Sequence, residues 1–124
     1  MNVVLWILAA VLAVAFLGAG LMKVSRSKEQ LAASGMGYVE DFSAGTIKLI
    51  GLVEILAAIG LILPGLTGVA PILVPLAATG LALLMVGAII THLRRKEMPM
   101  VLVNVVLLVL AVIVAWGRFG PYAF

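Results

Sequence analysis

The sequence predicts an all-α fold, an integral membrane four-helix bundle, and its apolar composition is the first evidence for that fold. Of the 124 residues, 65% are hydrophobic and 10% are charged, whereas a soluble domain is about half apolar and a quarter charged. Segments 3–22 and 69–90 contain no charged residue, and a helix needs about 20 such residues to span a bilayer. We therefore expect a single transmembrane domain, residues 1–124.

The first span is placed by an uncharged stretch, and the second by signals for helix boundaries. We expect the first span at about 3–22, retained rather than cleaved as a signal peptide, because nothing basic precedes it and Lys23 follows it. The second span is expected at about 44–63. Ser43 is its predicted N-cap, and the Pro-Gly pair at 64–65 is its predicted stop.

Prolines mark the start of the other two spans. The third is expected at about 69–90, with Pro71 and Pro75 in its first turns, where a missing amide donor is best tolerated. The fourth is expected at about 100–116, with Pro99 near its first position. The connections after the second and third spans are short, so successive helices should be antiparallel neighbours.

Basic residues predict how the bundle is oriented. Six of them lie at or beside one set of helix ends, namely Lys23, Arg26, Lys28, Arg94, Arg95 and Lys96. The opposite side has only Arg118. By the positive-inside rule, loops 24–43 and 91–99 are cytoplasmic and both termini lie outside, in a bacterial inner (plasma) membrane. The net charge of +3 then reflects topology and membrane lipid, and it gives no reason to expect a nucleic-acid partner.

The loop 24–43 is the one sizeable segment predicted outside the bilayer. It mixes charged residues with apolar ones such as Leu31 and Phe42. That mixture suits a short interfacial helix or a re-entrant flap against the cytoplasmic mouth of the bundle.

Glu54 is the most unusual residue, because it stands in the middle of an apolar span. It is eleven residues beyond Ser43, about 16 Å at the helical rise, and so near the bilayer midplane. A charge there costs roughly 2.5–3.5 kcal/mol on insertion scales, so Glu54 should face the bundle interior. We expect it to be neutral or reached by His92, Lys48 or Asn104. It either fixes helix register as a hydrogen-bonded core carboxyl, or it carries a proton or binds a ligand.

The other candidate ligand-binding residues lie toward the same cytoplasmic half. Lys48 is expected to extend to the headgroups and Lys23 to anchor the end of its helix. His92 can titrate near neutrality and either ends its helix at the interface or caps an interior cleft. Asn104 can form a hydrogen bond across helices. The outer half is nearly featureless, so with Glu54 these residues predict a pocket that is open to the cytoplasmic side and closed outside.

Two absences limit the chemistry that the chain itself supplies. There is no cysteine and there is a single histidine, so we expect no dedicated metal site, no disulfide and no thiol chemistry. We assign no catalytic residue and expect no intrinsic cofactor.

The sequence resembles the DoxX-like family of small bacterial four-span membrane proteins along nearly its whole length. The combination of Lys23, the Gly-x-x-Glu of 51–54 and the Ala-x-x-x-His of 88–92 carries the resemblance. The matching stretches are "FLGAGLMKVSRSKE", "IKLIGLVEILAAIGLILP", "PLAATGLALLMVGAIITHLRR" and "VAWGRFGPY". The resemblance implies a four-helix membrane protein. It also implies links to a quinone-reactive oxidase and to oxidative-stress complexes, in which any thiol would belong to a partner.

Three hypotheses for the function follow. The first is an accessory or redox-associated subunit that binds a quinone or isoprenoid-like lipid, with Glu54 and His92 around its polar head and a redox-enzyme partner for the electron chemistry. The second is an enzyme on a lipid substrate with the same two residues as acid and base. The third is a structural assembly factor without a ligand. Exposed glycine stripes could also support a homodimer.

Overall fold

The protein is an antiparallel bundle of long apolar helices. The computed structural model describes residues 1–33, Gly37 and 42–124. The described helices are α1 (Asn2–Ser25), α2 (Lys28–Ala33), α3 (Ala44–Thr67), α4 (Leu73–Arg94) and α5 (Met98–Phe119). All but α2 are long and apolar enough to cross a membrane. The described residues contain no strand, which confirms the predicted all-α membrane bundle. Of the predicted loop 24–43, residues 34–36 and 38–41 lie outside the described part of the chain.

Helix α3 begins where the sequence predicts and ends four residues later. The Ser43 hydroxyl accepts a hydrogen bond from the Thr46 amide at 3.2 Å, so the predicted N-cap is confirmed. The predicted stop at 64–65 is wrong, because Pro64 lies inside the helix. Proline lacks an amide N–H, but its carbonyl still accepts from the Gly68 amide at 3.0 Å. The helix ends at Gly68, whose φ of 73° is the left-handed conformation that glycine adopts easily.

The other helix ends also differ from the predicted boundaries by a few residues. Helix α4 starts at Leu73 rather than at 69 because Ala70 has a positive φ of 49° and forms a turn just before Pro71. Helix α5 starts two residues earlier than predicted, at Met98, and has its proline in the first turn as expected.

The four long helices form a ring. Helix α1 packs most extensively against α3, and α4 against α5; contacts between α3 and α4 and between α1 and α5 close the ring. The core between them is apolar, and its buried members include Leu12, Phe16, Leu61, Leu81 and Val114. No more than 28% of the most apolar window of any of these helices is buried. Many large apolar side chains, such as Val14, Leu83 and Leu102, are exposed, as a lipid-facing surface requires.

Two glycines bring α1 and α3 into backbone contact. A Cβ atom on Gly20 would lie 2.6 Å from the Gly51 carbonyl oxygen, and one on Gly51 would lie 2.7 Å from the Lys23 Cβ. Any larger residue would therefore push the two helices apart. This crossing fixes the register between α1 and α3, as small residues do in membrane helix pairs.

Both chain termini lie at one end of the bundle, called here the terminal end; the opposite end, with α2 and the α4–α5 connection, is called the basic end. Arg118 lies at the terminal end and is 4% exposed. Its Nη1 donates to Asn2 Oδ1 at 2.6 Å and to the Tyr122 carbonyl at 2.9 Å. Its guanidinium stacks 4.0 Å from the Phe124 ring centroid and 5.6 Å from that of Trp6. The expectation that this half is featureless is therefore wrong, because Arg118 is buried there. In the sequence, Arg118 served only to predict the orientation of the bundle.

Candidate functional site

A buried ion pair joins α1 to α3. Lys23 Nζ donates to Glu54 Oε1 at 2.6 Å, and the two side chains are 9% and 3% exposed. Glu54 thus faces the interior, as predicted. Its partner is Lys23, which the sequence suggested as an end anchor, rather than His92, Lys48 or Asn104.

The glycine crossing explains why these two residues meet. Lys23 follows Gly20 by three residues, and Glu54 follows Gly51 by three residues. Helical side chains lean toward the N-terminus of their own helix. Because α1 and α3 are antiparallel, the two side chains lean toward each other across the crossing. The sequence did not predict this pair, because the depth of each residue was counted along its own helix. The alignment of α1 with α3, which the two glycines determine, was not known.

A cavity of about 430 Å³ lies inside the bundle, beside this pair. All four long helices contribute to its wall, which is mostly apolar. In the described part of the chain, the polar and charged lining residues are Lys23, Glu54, Thr91, His92, Glu97 and Asn104. Volumes of about 300–1,000 Å³ with few polar groups are typical of small-molecule sites. The structure therefore brings four of the five predicted site residues to one cavity.

His92 has a carboxylate partner in the connection after α4. Its Nδ1 lies 2.9 Å from Glu97 Oε1, and Arg95 Nε lies 3.4 Å from the same oxygen. His92 is only 3% exposed and lines the cavity in the last turn of α4. Sequence reasoning missed Glu97, although a carboxylate five residues after a helix-ending histidine could have indicated it.

Asn104, on α5, is also buried, with 6% of its surface exposed. Its Nδ2 has no hydrogen-bond partner among the described residues. A buried donor without a partner is rare in native proteins. The amide therefore differs from the Lys23–Glu54 and His92–Glu97 pairs, whose polar groups are engaged within the protein.

Lys48, the fifth candidate, lies outside the cavity. Its Nζ donates to the Val24 carbonyl at 2.9 Å, and the side chain is exposed. With Arg26 and Lys28 it lines a separate groove of about 500 Å³ at the basic end. This position agrees with a lysine that extends along the surface rather than into the core.

The cavity is continuous with the surface of the bundle. Helices α1 and α5 touch at the terminal end, where a Cβ atom on Gly117 would lie 2.5 Å from Leu5 Cδ1. In the other half, the cavity lies between residues 15–23 of α1 and residues 100–107 of α5. Some lining residues are exposed, namely Ala15, Leu83, Gly87, Met100 and Val103. Part of the described cavity lining therefore lies at the outer surface of the bundle.

The chain is similar in sequence to a known family of proteins. The sequence model of the DoxX-like family matches residues 7–114, a range that contains every polar residue of the cavity. No curated protein and no solved structure matches the chain.

Proposed function

The chain belongs to the DoxX-like family, and from this membership and the cavity we propose that it binds the polar head of a quinone or another isoprenoid-like lipid inside the bundle. The observation that carries the proposal is the Lys23–Glu54 pair in the wall of a largely apolar cavity. The pair offers donors and acceptors to a head group, while the apolar wall and the open side accept a hydrocarbon tail. In a mostly apolar pocket, a small number of polar groups fixes the orientation of the bound ligand.

In this proposal the chain is an accessory subunit in a bacterial inner membrane. The basic end faces the cytoplasm, since it holds nearly all lysines and arginines. The chain has no cysteine, so a redox-enzyme partner carries the electron chemistry and the bundle supplies or holds the lipid.

One observation favours a second candidate function. Glu54 and His92 line the same cavity, so a single ligand could contact both, as acid–base catalysis on a lipid substrate requires. Each is already engaged by another charged residue, Glu54 by Lys23 and His92 by Glu97. For that reason binding without turnover is the simpler proposal. Chemical change of the bound lipid by the purified protein would favour the enzyme.

The test is native mass spectrometry of the detergent-purified protein, with organic extraction of the lipid that co-purifies. We expect the wild type to retain an isoprenoid lipid and Glu54→Gln to lose most of it. Thr79→Val is the matched control, because the Thr79 hydroxyl donates to the Pro75 carbonyl of its own helix at 2.8 Å and does not line the cavity. A wild type without any isoprenoid lipid, or a Glu54→Gln variant with undiminished lipid, would contradict the proposal.

A further inference from the structure

The side-chain amide of Asn104 has an N–H donor without an acceptor among the described residues. Its Nδ2 lies in the cavity wall, 94% of the residue is buried, and no partner for this atom exists among the described residues. A buried N–H without an acceptor costs stability, because its hydrogen bonds to water are lost on folding. An acceptor oxygen on a ligand in the cavity would satisfy it.

The depth of Asn104 in the bundle matches that of Glu54. Asn104 is thirteen residues from Gly117, about 20 Å along α5 from the level where Gly117 meets Leu5. Gly20 is fifteen residues from Leu5 along α1 and lies against Gly51 of α3. Helix α3 runs toward the terminal end, and Glu54 follows Gly51 by three residues, so Glu54 lies about one helical turn closer to that end. That places Glu54 about 18 Å from the same level. The amide and the ion pair therefore stand on different helices at one depth, and one head group can contact both.

The charges in the cavity wall limit the kind of head group. Among the described residues, the ionisable ones that line the cavity are Lys23, Glu54, His92 and Glu97. The charges of Lys23 and Glu54 offset each other, and Arg95 contacts Glu97 and offsets its charge in the same way. An anionic phosphate gains no net attraction there, whereas an uncharged head avoids the cost of desolvating a charge.

We propose that Asn104 is a ligand-binding residue whose N–H selects an uncharged hydrogen-bond acceptor, such as a ring carbonyl, on the head of the cavity lipid. The inference rests on the proposed function, since it requires that an isoprenoid-like lipid enters the cavity. Beyond the proposed function, Asn104 is the residue that recognises the head group, and an uncharged hydrogen-bond acceptor is the chemical class of that head group.

Native mass spectrometry titrations with two probes test the inference. The probes are a decyl-substituted para-benzoquinone, which offers carbonyl acceptors, and farnesyl phosphate, which is anionic. Four proteins are compared: wild type, Asn104→Leu, Asn104→Gln and the control Thr79→Val. Leucine is close to asparagine in size but has no donor, whereas glutamine keeps the amide.

We expect Asn104→Leu to bind the benzoquinone roughly fivefold more weakly than wild type, the loss that one neutral hydrogen bond gives. Asn104→Gln should recover part of this loss, Thr79→Val should bind like wild type, and wild type should bind farnesyl phosphate more weakly than the benzoquinone.

Three results would overturn the inference while leaving the proposed function in place. They are equal Kd values for wild type and Asn104→Leu, equal losses in the leucine and glutamine variants, and tighter binding of farnesyl phosphate than of the benzoquinone. A wild type that binds neither probe would instead refute the proposed function, and this inference with it.

Discussion

Lys23 and Glu54 are each buried in a position where a lone charge would be costly, and each compensates the other. Their nitrogen and oxygen lie 2.6 Å apart in an apolar bundle. Removing one partner leaves the other charge buried and unpaired, whereas removing both leaves an apolar contact. The stabilities of the single and double variants therefore show how far each buried charge depends on the other.

We predict that Lys23→Met and Glu54→Leu each lower the free energy of unfolding by about 3–5 kcal/mol, and that the double variant recovers most of that loss. Reversible unfolding in sodium dodecyl sulfate, followed by circular dichroism, measures all three variants. A double variant whose loss equals the sum of the two single losses would show that the residues do not compensate each other. The double variant should also lack the bound lipid, which separates the ligand role of the pair from its role in stability.

Sequence reasoning reached the site only in part at this scale. The cost of a charge in lipid correctly placed Glu54 in the interior, because that argument depends on one residue and its solvent. Its partner was missed, because Lys23 is 31 residues away and their meeting depends on how α1 and α3 are aligned. The Glu97 contact with His92 was missed for a similar reason, since it depends on the path of the chain after α4.

At the scale of the helices, the contact between Gly20 and Gly51 determines where α1 and α3 cross. A side chain at either position would meet backbone or Cβ atoms of the other helix at less than 3 Å. Gly18 offers a matched control on α1, because a Cβ atom there would meet nothing within 4 Å.

We predict that Gly20→Ala and Gly51→Ala each destabilise the protein by about 1–3 kcal/mol, the usual cost of overpacking. Both should also weaken lipid binding, because separating the helices displaces Lys23 from Glu54. Gly18→Ala should leave stability unchanged or slightly raised, since alanine is the better helix former. The same unfolding titrations check the three variants. If Gly18→Ala were as destabilising as Gly20→Ala, the crossing would not lie where the structure places it.

At the scale of the whole molecule, the fold was predictable because composition alone excludes water as the solvent. Apolar runs and helix-boundary signals placed the four long helices to within four residues at every end. At the end of α3, Pro64 was expected to stop a helix that continues to Thr67. The burial of Arg118 could not be predicted, because it depends on residues near both ends of the chain that meet at one end of the bundle.

The proposed orientation gives a prediction for the whole molecule. The chain lacks cysteine, so single cysteines can be introduced at exposed positions without a background of native thiols. In intact bacterial cells, a membrane-impermeant maleimide should label Ala123→Cys at once, and Ser27→Cys only after the cells are permeabilised. The reverse pattern would place the basic end outside and contradict the proposed orientation.

The most direct test of the central claim is a crystal structure of the protein with a bromine-substituted benzoquinone that carries a short prenyl tail. We predict an anomalous bromine peak inside the cavity, with the ring between the Lys23–Glu54 pair and Asn104. A bromine peak only on the outer surface or in the groove beside Lys48, with the cavity empty, would contradict the claim that this bundle binds the head of an isoprenoid-like lipid.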